Sequence, residues 1–151
     1  MTIKTTTKKL RVFLDANCWI AAAGSPDGGS SLIFKLARAG YIEIITTQKL
    51  LQEAKCNIER KMDEKFMQGY YEALKSTEIE IMEPVTAEEE LQWEFCTHKK
   101  DCHVLAAAYK AKADVLVSLD IKHIISDKVK KNFPIPVKNT KSFLTDFLSG
   151  K

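Results

Sequence analysis

Nowhere in the 151-residue chain does an apolar run approach the roughly 20 residues that span a bilayer. No apolar core follows the Thr- and Lys-rich residues 1–9 as a secretory leader would require. The expectation is therefore a cytoplasmic protein without membrane contact. There is no CxxC pair either. Cys18, Cys56, Cys96 and Cys102 fall in segments that read as buried or helical, which fits free thiols in a reducing compartment and predicts no disulfide. Internal repeats and low-complexity segments are absent, and the length is that of one ordinary domain, which excludes a multidomain organisation. Residues 1–151 are expected to form a single domain with its core at about residues 10–148. A strong charge of one sign is missing too, because the net charge is only +3, which permits a nucleic-acid partner without demanding one.

What is present is a soluble, globular composition, 45% hydrophobic and 28% charged. Lys8, Lys9 and Arg11 precede the first hydrophobic run, whereas Lys122, Lys128, Lys130, Lys131, Lys138 and Lys141 crowd the C-terminal part and residues 78–94 are acidic. That polarity describes either one basic face or ordinary solvated helix surface. Cys96, His98, Cys102 and His103 lie close enough together to suggest zinc ligands. They lack a second ligand pair at a finger-like spacing, and local propensity reads them as the end of one helix and the start of the next.

Hydrophobic periodicity divides the chain into alternating strands and helices. Residues 10–15 form a β-type run that ends in an acid and enters a loop dense in turn residues at 24–29. Ser30 is the expected N-cap of a helix carrying Leu32, Ile33, Leu36 and Ala37, stopped by Gly40. A strand follows at residues 41–46, then two helices over 47–76, the first with Leu50, Leu51, Ala54 and Ile58 on one face. Residues 77–82 alternate with period two, as a strand with one exposed face near a sheet edge does. Thr86 and Glu89 make a capping box, Asp101 opens an alanine-rich helix over 102–113, and residues 114–118 and 134–138 read as further strands before a last helix at 140–148. Such alternation predicts an α/β fold, a three-layer α/β/α sandwich with a mainly parallel, Rossmann-like central sheet. In that architecture a site lies beyond the carboxyl ends of the strands, where strand order reverses.

Acids sit where that rule looks for them. Asp15 ends the first strand, in an apolar setting where a merely structural carboxylate would be poorly solvated, and Asp120 follows the strand at 114–118. Asp101 opens the helix leading into that strand, and Glu53 lies on the helix after the second strand. Singly, each has an ordinary explanation as a cap, a turn residue or a solvated helix position. Jointly, they would repel one another unless cations occupied the space between them. Mg²⁺ or Mn²⁺ suits such oxygen donors and assists phosphodiester hydrolysis.

The run from Val12 through Asp15 and Asn17 to Ile20 resembles the opening of PIN domains, and Leu50-Leu-Gln-Glu53 resembles their second acid. The closing block, Asp101-Cys-His-Val-Leu-Ala-Ala-Ala108 and Ala113-Asp-Val-Leu-Val-Ser118-Leu-Asp120, is similar to the family's third acid on an alanine-rich helix and its strand ending in Ser/Thr-x-Asp. The resemblance implies a metal-dependent endoribonuclease of the compact bacterial kind that serves as the toxin of a toxin-antitoxin pair. It implies catalytic roles for Asp15, Glu53, Asp101 and Asp120, metal ligation by Asp15, Asp101 and Asp120, and hydrogen-bonded support from Asn17 and Ser118. Its implied partners are RNA, an antitoxin protein and a second copy of the chain as a homodimer. Lys8, Lys9, Arg11 and Lys122 are candidates for drawing in the RNA backbone, and His123 for facing the site; Trp19 is either core or a stacking platform. Leu119 stands where the family often has Gly, and no further acid follows Asp120 closely. Two alternatives remain at this stage: an inactive PIN-like RNA- or protein-binding module, and an aspartate-nucleophile phosphatase. The latter would want a second Asp where Asn17 stands.

Overall fold

A computed structural model describes residues 9–150. Five strands, β1 (Leu10–Leu14), β2 (Ile42–Thr47), β3 (Ile79–Met82), β4 (Val115–Val117) and β5 (Val137–Lys138), form one parallel sheet in the order β3-β2-β1-β4-β5. Its register pairs Val12 with Ile44 on one side, and Phe13 with Leu116 on the other. The central strand β1 needs apolar residues on both faces, and Val12, Phe13 and Leu14 are fully buried. Burial of each such side chain contributes about 1.5–3 kcal/mol. The period-two segment takes an edge position as β3, where Glu80 is exposed.

Eight helices cover the sheet among the described residues: α1 (Ala16–Gly24), α2 (Gly29–Arg38), α3 (Gln48–Lys61), α4 (Glu64–Ser76), α5 (Ala87–Leu91), α6 (Cys102–Lys110), α7 (Asp127–Asn132) and α8 (Thr140–Leu148). α1 packs on α2, α3 and α4, α5 packs on α6, and α8 returns against α2; with the right-handed crossovers that parallel strands take, the strand order puts α1 to α4 on one face and α5 to α7 on the other, giving the three layers. No helix among the described residues is long and apolar enough to cross a membrane.

Local chemistry sets the boundaries. Gly40, at a φ of +88°, ends α2 in a Schellman turn, with the Tyr41 N–H on the Leu36 carbonyl and the Gly40 N–H on the Ala37 carbonyl. Thr86 and Glu89 close the reciprocal capping box of α5. The α3 face at Leu50, Leu51, Ala54 and Ile58 is buried, and the Tyr70 hydroxyl of α4 donates to the Leu51 carbonyl at 3.1 Å. Two expectations change. α2 starts at Gly29 with Gly28 as its N-cap, because Ser30 is buried inside the first turn and the Ser31 hydroxyl bonds the Ala22 carbonyl. Residues 16–24 form α1 with no loop between it and β1.

Candidate active site

The strand order reverses between β1 and β4: successive crossovers from β1 lead through β2 to β3, while the chain continues from β4 to β5 on the other side. The carboxyl ends of β1 and β4 therefore open a crevice. Asp15 stands at its base as the N-cap of α1, because the chain leaves the strand and enters the helix without a linker. Its Oδ1 accepts the Ala16 N–H at 2.8 Å and its Oδ2 accepts the Ser118 hydroxyl at 2.7 Å, and the residue is only 7% exposed.

A polar network carries this geometry to the end of β4. Asn17 Nδ2 donates to Asp15 Oδ2 at 3.5 Å and to Ser118 Oγ at 3.3 Å, and Asn17 Oδ1 accepts the Leu119 N–H at 3.0 Å. Ser118 Oγ accepts the Asp120 N–H at 3.0 Å. Asp120 Oδ1 then accepts the backbone N–H groups of Lys122 and His123 at 3.0 and 2.9 Å, fixing the turn beyond the strand. Asn17 and Ser118 thus join the two strand-end acids. Ser118 is fully buried, so loss of its bond to Asp15 would leave its hydroxyl stranded away from water.

Asp101 and Glu53 approach from helices on opposite faces. Asp101 ends a short 3₁₀ turn, Lys99–Asp101, at the threshold of α6, and its Oδ2 is buried without a hydrogen-bond partner. Glu53 projects from α3 with its Oε1 3.1 Å from Nε2 of the buried His103. Sequence reading considered His103 only as a zinc ligand, because its true neighbour lies 50 positions away; its place two residues after Asp101, on the same first turn of α6, was the available signal. The zinc reading itself fails: the Cys96 thiol bonds the Trp93 carbonyl, the Cys102 thiol bonds the His98 carbonyl, and His103 turns to Glu53. All four cysteines are free thiols.

The acids share one electrostatic neighbourhood. Burial raises the Asp15 carboxyl above its ordinary value, the bonds from Ser118 and Ala16 partly offset this, and the charges of Glu53 and Asp101 raise it further. Burial also raises Asp101, followed by the charge of Asp120, while His123, Lys100 and His98 pull it down. Among the described residues, no three His, Cys, Asp or Glu side chains are drawn into a preformed ligand group. The donor set nonetheless fits a hard divalent cation: Asp101 offers an orphaned buried oxygen, and a cation would stabilise carboxylates that burial, and secondarily their mutual repulsion, disfavour.

The remaining candidates divide. Lys122 is exposed on the Asp120 turn beside the crevice. Lys9 and Arg11 lie at the amino end of β1, the opposite edge of the sheet, where the Arg11 guanidinium binds Glu80 at 3.0 Å and Glu43 at 3.2 Å; neither faces the acids. Lys8 lies outside the described residues. Trp19 is core, fully buried edge-on against Phe34 and Tyr70, so no base can stack on it.

Residues 11–122 match the model of the PIN domain. The chain belongs to the PIN domain family. Its members are generally nucleases. No curated protein matches the sequence. Solved structures share the fold at low identity. PAE2754 from Pyrobaculum aerophilum aligns with a TM-score of 0.64 and 13% identity over 93% of this chain and 96% of that one. VapC20 from Mycobacterium tuberculosis, a sarcin-ricin loop cleaving toxin, aligns with a TM-score of 0.55 and 19% identity over 81% of this chain and 95% of that one. VapBC2 from Rickettsia felis, solved with a DNA fragment from its promoter, gives 0.59 and 16% over 86% and 98%. The PIN fold is therefore common ground between the sequence and the three-dimensional comparisons.

Proposed function

We propose that this PIN domain is a metal-dependent endoribonuclease that hydrolyses RNA phosphodiester bonds and acts as the toxin of a toxin-antitoxin pair. The observation that carries the reading is the convergence of Asp15, Glu53, Asp101 and Asp120 at one crevice, with the Asp101 Oδ2 buried and unpartnered. Asp15, Asp101 and Asp120 would hold Mg²⁺ or Mn²⁺, which when bound offsets charge on the phosphodiester and makes water a better nucleophile. Glu53, steadied by His103, supplies the fourth carboxylate and takes a hydrogen bond from the attacking water. Asn17 and Ser118 keep Asp15 and Asp120 in register with each other through the bonds described above. The toxin role draws support from the fold shared with VapC20. Its expected companions are an antitoxin protein and a homodimeric partner in the cytoplasm.

The test is cleavage of a labelled mixed RNA pool by the purified protein with Mn²⁺, Mg²⁺ or EDTA, beside Asp15→Asn. Cutting that needs the metal and is lost in a folded Asp15→Asn is the expected result. A folded wild-type protein that cuts under none of these conditions, and gains no thermal stability from Mn²⁺, would favour an inactive binding module.

A further inference from the structure

An acidic crevice repels the polyanion it is proposed to cut, so substrate must be held by cations close by. Three basic side chains are committed elsewhere: Arg11 pairs with Glu43 and Glu80, Lys110 with Glu83 and Glu89, and Lys138 with Asp146. Two short segments are set apart by their place beside the acids. His98, Lys99 and Lys100 immediately precede Asp101, and Lys122 and His123 follow Asp120. Lys99, Lys100 and Lys122 are exposed, and among the described residues none of them enters an ion pair.

The two segments are built together. The Thr97 hydroxyl donates to the His123 carbonyl at 2.6 Å, and the His98 and His123 rings lie 5.2 Å apart between centroids. His98 Nδ1 accepts the Lys100 N–H at 3.3 Å. That bond requires an unprotonated Nδ1, so in the neutral ring the proton sits on Nε2, leaving a donor on the exposed side chain that needs no charge. His98, Lys100 and His123 all lie within electrostatic reach of Asp101, which places the rim against the acidic centre.

We propose that residues 98–100 and 122–123 form a phosphate clamp, gripping the backbone of a single-stranded nucleic acid beside the acids, with Lys99, Lys100 and Lys122 as point charges and His98 Nε2 as a neutral donor. The clamp rests on the nuclease reading for its purpose but not for its test. Binding is read in EDTA, without cleavage, by the anisotropy of a labelled single-stranded RNA across ~50 to ~200 mM salt, where each lost phosphate contact lowers the slope of log K against log salt by about 0.7. Lys99→Ala/Lys100→Ala should lower that slope by about 1.4. Lys122→Ala should lower it by about half as much. His98→Asn keeps an acceptor for the Lys100 N–H and removes the Nε2 donor, so it should weaken binding with unchanged circular dichroism. Lys130→Ala/Lys131→Ala, at the far end of α7, should leave both slope and affinity alone. A DNA strand of the same sequence should show the same losses, because the contacts are to backbone. Wild-type slopes in the rim variants, no salt-dependent binding by the wild type, or losses confined to RNA would overturn the clamp. A protein that binds in this way but never cuts would sink the nuclease reading and leave the clamp standing.

Discussion

Asp101 holds a carboxyl oxygen out of water with nothing bound to it, and the charge of Asp120 acts on the same group. Such a residue lowers stability when nothing neutralises it. The sign follows from its raised folded-state value: between the ordinary carboxyl range and that raised value the folded protein binds more protons than the unfolded chain, so stability falls as pH rises through the window. Asp15 acts in the same direction. Asp101→Asn should therefore melt higher than wild type in EDTA at neutral pH, each 1 kcal/mol gained appearing as about 2–4 °C. The gap should close once the pH falls below the ordinary Asp value, and a scanning calorimetry series over pH reads it. At Glu53 the relevant neighbour is His103. Replacing His103 with Leu should cost about 10–100-fold in cleavage while His103→Gln, which keeps a donor near the Nε2 position, retains part of it. Asp15, Asp101 and Asp120 were legible as candidates because they stand at or just past a strand end or a helix start, whereas Glu53, inside α3, was marked only by its place on the helix that follows β2 and by the resemblance. His103 was not legible, since nothing local links residue 103 to residue 53.

Among the elements, the segments that periodicity read well include those with one buried face, α3 and α8, whose observed bounds Thr140–Leu148 coincide with the expected helix, and the edge strand β3, none of whose residues is fully buried. α1 escaped because Ala16–Gly24, four alanines with one each of Cys, Trp and Ile, is apolar nearly all round, so no helical stripe stands out, and its cap is Asp15, already read as the end of a strand. α7 escaped because Asp127–Asn132 is short and buries only Val129. The close contact of α1 with α4 depends on glycine. A Cβ at Gly69 would collide with the Ala23 carbonyl, and backbone on both sides leaves no flexible group to yield. Gly69→Ala should cost about 1–3 kcal/mol, seen as a lower urea midpoint with an unchanged m-value.

At the scale of the whole molecule, the sheet order puts β1 beside β4 and so brings together acids that are far apart in sequence, while the one-residue step from β1 into α1 aims Asp15 into the crevice. Alternation of strands and helices made the layered fold legible; the pairing of β1 with β4 across 103 positions, seen in the Ser118–Asp15 bond, is a fact of topology that propensity does not encode. Because a divalent cation would bind the folded centre alone, Mn²⁺ at 100 times its Kd should add about 2.7 kcal/mol to the unfolding free energy. Asp15→Asn should lose most of that gain in the same thermal scan.

Under the proposed function the carboxylates direct an external water onto the phosphodiester, while His98 and His123 hold the backbone and do not cut it. The chemistry of the product ends tests this most directly. Digestion of a defined RNA with Mn²⁺ should leave ends free of 2′,3′-cyclic phosphate, with cutting abolished by EDTA and by Asp101→Asn. Cyclic phosphate ends formed equally well in EDTA, and surviving in Asp101→Asn, would mean that the RNA's own 2′-hydroxyl is the nucleophile and that the acids are not the reactive centre.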